Sequence, residues 1–320
     1  MTATTQTSTP LFKRIFSRSI GAREARLAWL LISPTLIIVL GLVLFPAVFS
    51  IWISFHDIGL NNLNDVFHAP SVGLENYLAV FNDFAFKYNS LGNMGAALTS
   101  IVFSFSATIL TVLVGLAAAL LLNQPFRARG LSRAIFLFPY VAPIVSVAYV
   151  WRWMLDPKPS GVMNYLLMQI NLIERPIPFL AKIGWALLLI IIFDAWRYFP
   201  FAMLMILARL QAIDKTLYEA AKVDGANAIQ NFWNITLPEL RYVIGAIFLL
   251  RLIWTFNKFD DIFLLTSGGF GTKVLPVLTY EFSFNLFDFG RGSATSMILL
   301  VMLVLFLIFY ARFVMRNVEE

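Results

Sequence analysis

Residues 219–238 read EAAKVDGANAIQNFWNITLP, the longest polar stretch in the second half of a chain that is otherwise deeply apolar. Hydrophobic residues fill 59% of the 320 positions and charged residues only 13%, with a mean hydropathy of +0.78. A soluble domain carries about twice that share of charge. A solvated, small-residue segment between two greasy runs needs a reason, and the runs around it supply the setting.

A helix that crosses a bilayer needs about 20 mostly apolar residues. Six stretches qualify, at about 28–55, 97–122, 134–155, 183–207, 242–266 and 292–311. They are long and continuous, whereas barrel strands are short and alternating. The fold class is therefore all-α: a polytopic membrane protein with six transmembrane helices. Loop charge then sets orientation. On one side stand Lys13, Arg14, Arg18, Arg23, Arg26, Arg127, Arg129, Arg133, Arg209, Lys215, Lys222, Arg241, Arg312 and Arg316. On the other stand only Lys87, Lys158, Arg175, Lys182, Lys273 and Arg291. Both termini are placed in the cytoplasm, and so is the 219–238 segment. The +6 net charge reports topology in this setting, not an affinity for nucleic acid.

The domain organisation follows. Residues 1–26 form a basic, Ser/Thr-rich cytoplasmic tail, residues 27–315 the six-helix domain with a cytoplasmic loop at 208–241, and residues 316–320 a second tail. The apolar run after the first tail is too long for a cleaved signal core, so it reads as a retained anchor. The longest outer loop, from His56 to Met94, has room for a short helix around Leu74–Phe81.

Several chemistries are excluded. There is no cysteine, hence no disulfide, catalytic thiol or thiolate metal site. His56 and His68 are the only histidines and read as surface residues, so no metal site is expected. GGFGTK at 268–273 only looks like a phosphate loop: it lacks the Gly-Lys pair and the following Ser/Thr, and lies on the outer side. No nucleophile elbow is present either. The chain reads as no enzyme, with no cofactor of its own.

The opening segment has local logic. Ala212–Ala228 is rich in helix formers, with Gly225 interrupting it. A mid-helix glycine costs up to about 1 kcal/mol relative to alanine, so a bend between two short helices is a good reason to keep one. Ala220, Ala221, Gly225 and Ala226 offer a face without bulk, against which another backbone can approach closely. Thr236 reads as an N-cap with Glu239 three residues on and Pro238 in the first turn. The segment is a rigid knuckle between spans four and five.

Its spacing is also specific. Glu219-Ala220-Ala221, three residues, Gly225, nine residues, Ile235, one residue, Leu237-Pro238 resembles the EAA signature of ATP-binding-cassette (ABC) importer permeases. The wider frame is similar to the carbohydrate permeases of the maltose and glycerol-phosphate type, as the first of the two permeases. VGLENYLAVF at 72–81, LAAALLLN at 116–123, FPYVAPIVSVAYVWRWMLDPKPSGVMN at 138–164 and FDDIFLLTSGG at 259–269 carry that likeness. It covers nearly the whole chain from span one onward. Phe270 departs from the pattern, since the family often has proline there, and bears only on local turn geometry.

The resemblance implies a type I ABC importer permease fold in the bacterial cytoplasmic (inner) membrane. It implies that Glu219, Ala220, Ala221, Asp224, Gly225, Ala226, Ile235, Leu237 and Pro238 couple to an ATPase. Partners would be a second, homologous permease in a heterodimer, two copies of a cytoplasmic ATPase that holds ATP and Mg, and an extracytoplasmic solute-binding protein. ATP would close the ATPase pair and switch the spans between inward-open and outward-open states.

Ionisable groups inside a bilayer are costly and mark functional candidates. Asp194, Arg197, Tyr198 and Phe201 share one face of span four. Arg251, Thr255 and Lys258 share a stripe on span five, with Asn257, Asp260 and Asp261 nearby, and Ser146 lies on span three. Charged and amide groups among aromatic faces suit a hydroxylated ligand, and the resemblance places the substrate path on spans three to five. A structural alternative stands beside this. Asp194 and Arg197 could neutralise each other at i, i+3, and Arg251 serves a helix–helix contact as readily as a substrate. The expected function is import of a disaccharide, oligosaccharide or polyol glycoside by alternating access. A glycerol-phosphate-type substrate is the alternative within the family. A stand-alone secondary transporter is the rival class, and it leaves the EAA spacing unexplained.

Overall fold

A computed structural model describes residues 20–87 and 94–312. The described residues are helical, with two isolated β-bridges and no strand. Most of the expected 1–26 tail and all of the 316–320 tail lie outside them.

The first unit, up to Ile53, consists of α1 (Glu24–Ile53), 30 residues long, which passes through a π turn at Val39–Leu44. The second unit, from Ser54 onward, holds the remaining elements. These are α2 (Glu75–Asn82), α3 (Ala96–Asn123), α4 (Arg129–Val141), α5 (Ile144–Met154), α6 (Trp185–Ala212), α7 (Lys215–Val223), α8 (Leu237–Phe256), α9 (Asp260–Thr266), α10 (Leu275–Tyr280) and α11 (Phe289–Tyr310). α1, α3, α6 and α11 are each long and apolar enough to cross a membrane.

Two expected spans differ in form. The third is a pair of helices, α4 and α5, that meet at 95°. Ala142 precedes Pro143 and is extended (φ −64°, ψ 139°), because the proline ring disfavours the helical region for the residue before it. The fifth stops at Phe256, and its last seven residues form α9 after a break at 257–259. α8 carries Glu239, Arg241 and Arg251 within its 20 residues.

The core is built on α3 and α6, which run parallel. Phe103 and Ala107 of α3 pack with Leu187, Ile190 and Phe193 of α6, and further along Ala118, Ala119 and Leu122 pack with Ile206, Leu207 and Leu210. They approach closely at Gly115. A Cβ there would lie 2.6 Å from Ala202 Cβ and 3.0 Å from Met203 N. Small residues at such crossings let membrane helices pack on van der Waals contact alone. Gly115→Val should therefore force the two helices apart, at about 1–3 kcal/mol. A lower thermal unfolding midpoint in detergent checks this, against an unchanged midpoint for Gly130→Ala, where a Cβ meets nothing within 4 Å.

The expected short outer helix is α2, and its GLENY motif has a structural task. Asn76 donates its amide to Ser54 O (3.0 Å) and His56 O (2.9 Å), and Tyr77 shares a 2.7 Å hydrogen bond with the Ser54 hydroxyl. The Phe289 N–H donates to Ile58 O at 2.9 Å. Residues 54–58 are thereby pinned between α2 and the start of α11. Asn164, wholly buried, does similar work on the loop after α5, bonding Asp156 O and both the N–H and C=O of Ile177.

Candidate functional site

The 208–241 loop is held at its base and open at its tip. Arg209, in the last turn of α6, pairs with the Glu239 carboxylate at 2.5 Å and donates to its carbonyl at 3.1 Å. That ties the start of α8 to the end of α6. Asp214 caps α7 by accepting from Thr216 N at 2.9 Å, and this backbone bond holds its carboxyl below the ordinary carboxylate range. The cap is therefore present at neutral pH and lost only on acidification through that lowered value.

The EAA spacing now has a geometric reason. Ala226 N donates to Ala221 O (2.9 Å) and Gly225 N to Lys222 O (3.2 Å), with Gly225 at φ +81°. These are the two bonds of a Schellman motif, which needs a left-handed residue just past the helix. Gly225 is that residue, and its distance from Ala221 is set by the motif. Asn227 then caps a short helix, Ala228–Asn231, in a reciprocal pair with Gln230 (2.9 and 2.8 Å).

One local expectation is corrected. Thr236 is not an N-cap: it is helical (φ −64°, ψ −51°) and closes a π turn, Phe232–Thr236, that runs unbroken into α8. Pro238 lacks an N–H, and the widened turn ahead of it absorbs the missing bond. The Thr236 hydroxyl instead meets Tyr218 OH at 3.0 Å, tying α7 to that turn. The capping box lies earlier, at Asn227 and Gln230.

Of the expected coupling residues, Glu219, Ala220, Asp224, Gly225 and Pro238 are exposed, while Ala221, Ala226, Ile235 and Leu237 are half-buried. A Cβ on Gly225 would meet nothing within 4 Å. Three neighbours passed over in the sequence are also conspicuous: Val223 (88% exposed), Ile229 (70%) and Trp233 (61%). A large side chain amid polar residues was the available signal for each.

A second cluster lies within the helices. Asp194 of α6 pairs at 2.5 Å with Arg251 of α8, not with Arg197 three residues on, and both partners are almost wholly enclosed. Arg197 turns away and donates to Ala142 O at 3.2 Å, at the bend between α4 and α5. The Arg251 guanidinium lies 4.3 Å from the centre of the Tyr198 ring, and the Lys258 ammonium 4.2 Å from it. Lys258 also donates to the Tyr198 hydroxyl and pairs with Asp261 at 3.4 Å. Arg197 Nε also reaches the Tyr198 hydroxyl at 3.4 Å, so Tyr198 is the hub of three cations, two of which, Arg251 and Lys258, hold the carboxylates of Asp194 and Asp261. The surplus positive charge sits on its electron-rich face, where a cation is attracted by the ring quadrupole.

Asp194, Thr255 and Asp261 are enclosed, the Thr255 hydroxyl donating to Arg251 O at 2.6 Å. Arg197 is nearly so. Asn257 and Asp260 are exposed, and the Asn257 amide donates to Ile253 O at 2.9 Å. Tyr198, Phe201 and Lys258 are half-buried on a shared aromatic face. There Tyr140 stands 6.1 Å from Tyr198 and 6.5 Å from Phe201, and Trp254 5.2 Å from Phe201, all between ring centres. Tyr140 and Trp254 were not singled out in the sequence. Ser146 is not among them: it lies on α5 in an apolar groove of about 700 Å³ with Phe138, Val141 and Trp196.

Comparison with known proteins identifies the family. Residues 111–319 match the family described as "Binding-protein-dependent transport system inner membrane component". The inner membrane ABC transporter permease protein YcjO of Escherichia coli is 36% identical over 292 residues, covering 91% of this chain and 94% of that one. The trehalose/maltose transport system permease protein MalF of Thermococcus litoralis matches with the same identity and coverage. The trehalose transport system permease protein SugA of Mycobacterium tuberculosis is 30% identical over 92% of this chain and 89% of its own. In fold, a chain of a bacterial alginate ABC transporter, crystallised with a pentasaccharide-bound periplasmic protein, superposes with a TM-score of 0.78 over 97% of this chain and 99% of that chain, at 22% identity. The chain belongs to the binding-protein-dependent transport system inner membrane component family: it is an ABC transporter permease of the inner membrane, a transport subunit and not an enzyme.

Proposed function

We propose that this chain is one of two transmembrane subunits of an ATP-driven importer for a neutral disaccharide or oligosaccharide. Six crossings result when the α4–α5 pair and α8 each cross once, with the 208–241 loop in the cytoplasm. The observation that carries the reading is that loop: a glycine-capped helix end on a base held by Arg209–Glu239, with an exposed small-residue face and three exposed apolar side chains. Such a surface suits a groove on a separate ATPase subunit, where Glu219 meets a basic group and Val223, Ile229 and Trp233 are covered. The permease itself holds no nucleotide; ATP and Mg act at the ATPase, and closure of the ATPase pair moves the loop. The base transmits that motion to α6 and α8, and the Asp194–Arg251 pair keeps those helices moving together. The aromatic face of Tyr140, Tyr198, Phe201 and Trp254 offers apolar platforms to sugar C–H faces, with Lys258 and Asn257 for hydroxyls. Two trehalose-transport relatives at 30–36% identity support a sugar. A phosphate-bearing substrate is disfavoured because Arg197 is turned inward onto Ala142.

The test is uptake. The permease pair and ATPase, reconstituted in vesicles, should accumulate labelled trehalose or maltose only with ATP on the ATPase side and loaded binding protein on the other. Uptake that needs no ATPase and follows an ion gradient would assign the chain to the secondary transporters instead.

A further inference from the structure

A cavity of about 350 Å³ lies at the end of the bundle opposite the 208–241 loop, where α3 begins and α9 ends. It belongs to none of the sites above. Small-molecule sites begin at about 300 Å³. We propose that it binds one neutral sugar unit on the extracytoplasmic side, a holding site ahead of the membrane path. The inference rests on the sugar reading and the orientation above.

Three features of the lining point to this ligand. One wall is aromatic: Phe263 and Tyr280 stand 5.1 Å apart between ring centres at 62°, within a longer stack with Phe259 and Phe284. An edge-to-face wall offers a ring face to the C–H side of a pyranose. Beside it, Lys273 and Glu281 form a 2.5 Å ion pair, one quarter and one third exposed. The pair presents a donor and an acceptor side by side, as neighbouring ring hydroxyls require. It sums to zero charge, whereas a uronate or phosphate needs a surplus cation. Lastly, Glu281 and Asn285 open and close a π turn, with Leu286 N donating to Glu281 O at 3.0 Å, and both line the cavity. π turns recur at functional sites. Gly268 shapes the opposite wall: it sits at φ +77°, and a Cβ there would lie 2.8 Å from Val277 Cγ1. The loop can press against α10 only with glycine at this position.

The absence of cysteine makes the test direct. Asn285→Cys gives a single thiol at the cavity. Its maleimide labelling is timed in the assembled importer in lipid nanodiscs, without binding protein; co-purification of the ATPase reports that the variant folds. Trehalose or maltose should slow labelling about threefold at roughly twice its dissociation constant, by simple occupancy. The slowing should vanish when Lys273→Met and Glu281→Gln are added to a protein that still assembles. No slowing by any sugar, in a complex that still imports sugar, overturns the site and leaves the importer reading intact. Slowing by an alginate oligosaccharide but not by trehalose or maltose overturns the neutral class. Slowing by empty binding protein alone marks the cavity as a protein-docking face and also overturns the proposal.

Discussion

Arg251→Leu is expected to destabilise the folded permease by about 3–5 kcal/mol, the usual effect of stranding one partner of a buried ion pair. Asp194 is wholly enclosed and accepts its 2.5 Å hydrogen bond from Arg251. Without the guanidinium, its carboxylate is left buried beside Asp261, with Lys258 the nearby cation that must balance both, an arrangement a bilayer tolerates poorly. Removing both charges at once, as Asp194→Leu with Arg251→Leu, should recover most of the loss, since well-packed apolar pairs often replace buried ion pairs at little cost. Thermal unfolding in mild detergent reads both variants. If the single variant is as stable as the wild type, the pair is not the tie between α6 and α8. If the double variant is stable yet transports poorly, the pair serves the motion more than the fold.

The second large effect is expected at the loop. Gly225→Arg places a bulky group where the small face should meet the ATPase and asks a non-glycine residue to hold φ +81°. The space around Gly225 within this chain is empty, so the side chain itself clashes with nothing here. The left-handed backbone alone costs roughly 1–2 kcal/mol, and Gly225→Ala should show only that. Gly225→Arg should in addition abolish stimulation of ATP hydrolysis by the loaded binding protein, while the permease pair still assembles. If arginine and alanine behave alike, the loop tip is not an interface.

The broad fold is legible in the sequence because spanning a bilayer demands long apolar runs, and those survive any reading of detail. α3 and α11 fall close to where composition places them. The EAA spacing is legible because a Schellman helix end fixes the distance from Ala221 to Gly225. What the sequence hides is pairing at long range. Asp194 and Arg197 look like partners at i, i+3, but the partner is Arg251, 57 residues on, since a guanidinium on the facing helix approaches a buried carboxylate better than one on the same surface. Continuity is hidden as well. Thr236 followed by Pro238 reads as a helix start, and only the π turn shows that the helix is already under way. The α4–α5 bend was signalled by Pro143, within a run apolar enough to pass for one straight span.

The most direct measurement is ATP hydrolysis by the importer in lipid, with this chain expressed beside its second permease and the ATPase. If the 208–241 loop is the handle by which a separate motor grips the permease, the ATPase co-purifies with this chain. Its rate then rises when sugar-loaded binding protein is added, and that rise is lost in Gly225→Arg. If no ATPase co-purifies and uptake instead collapses with an ion gradient, the central claim is contradicted.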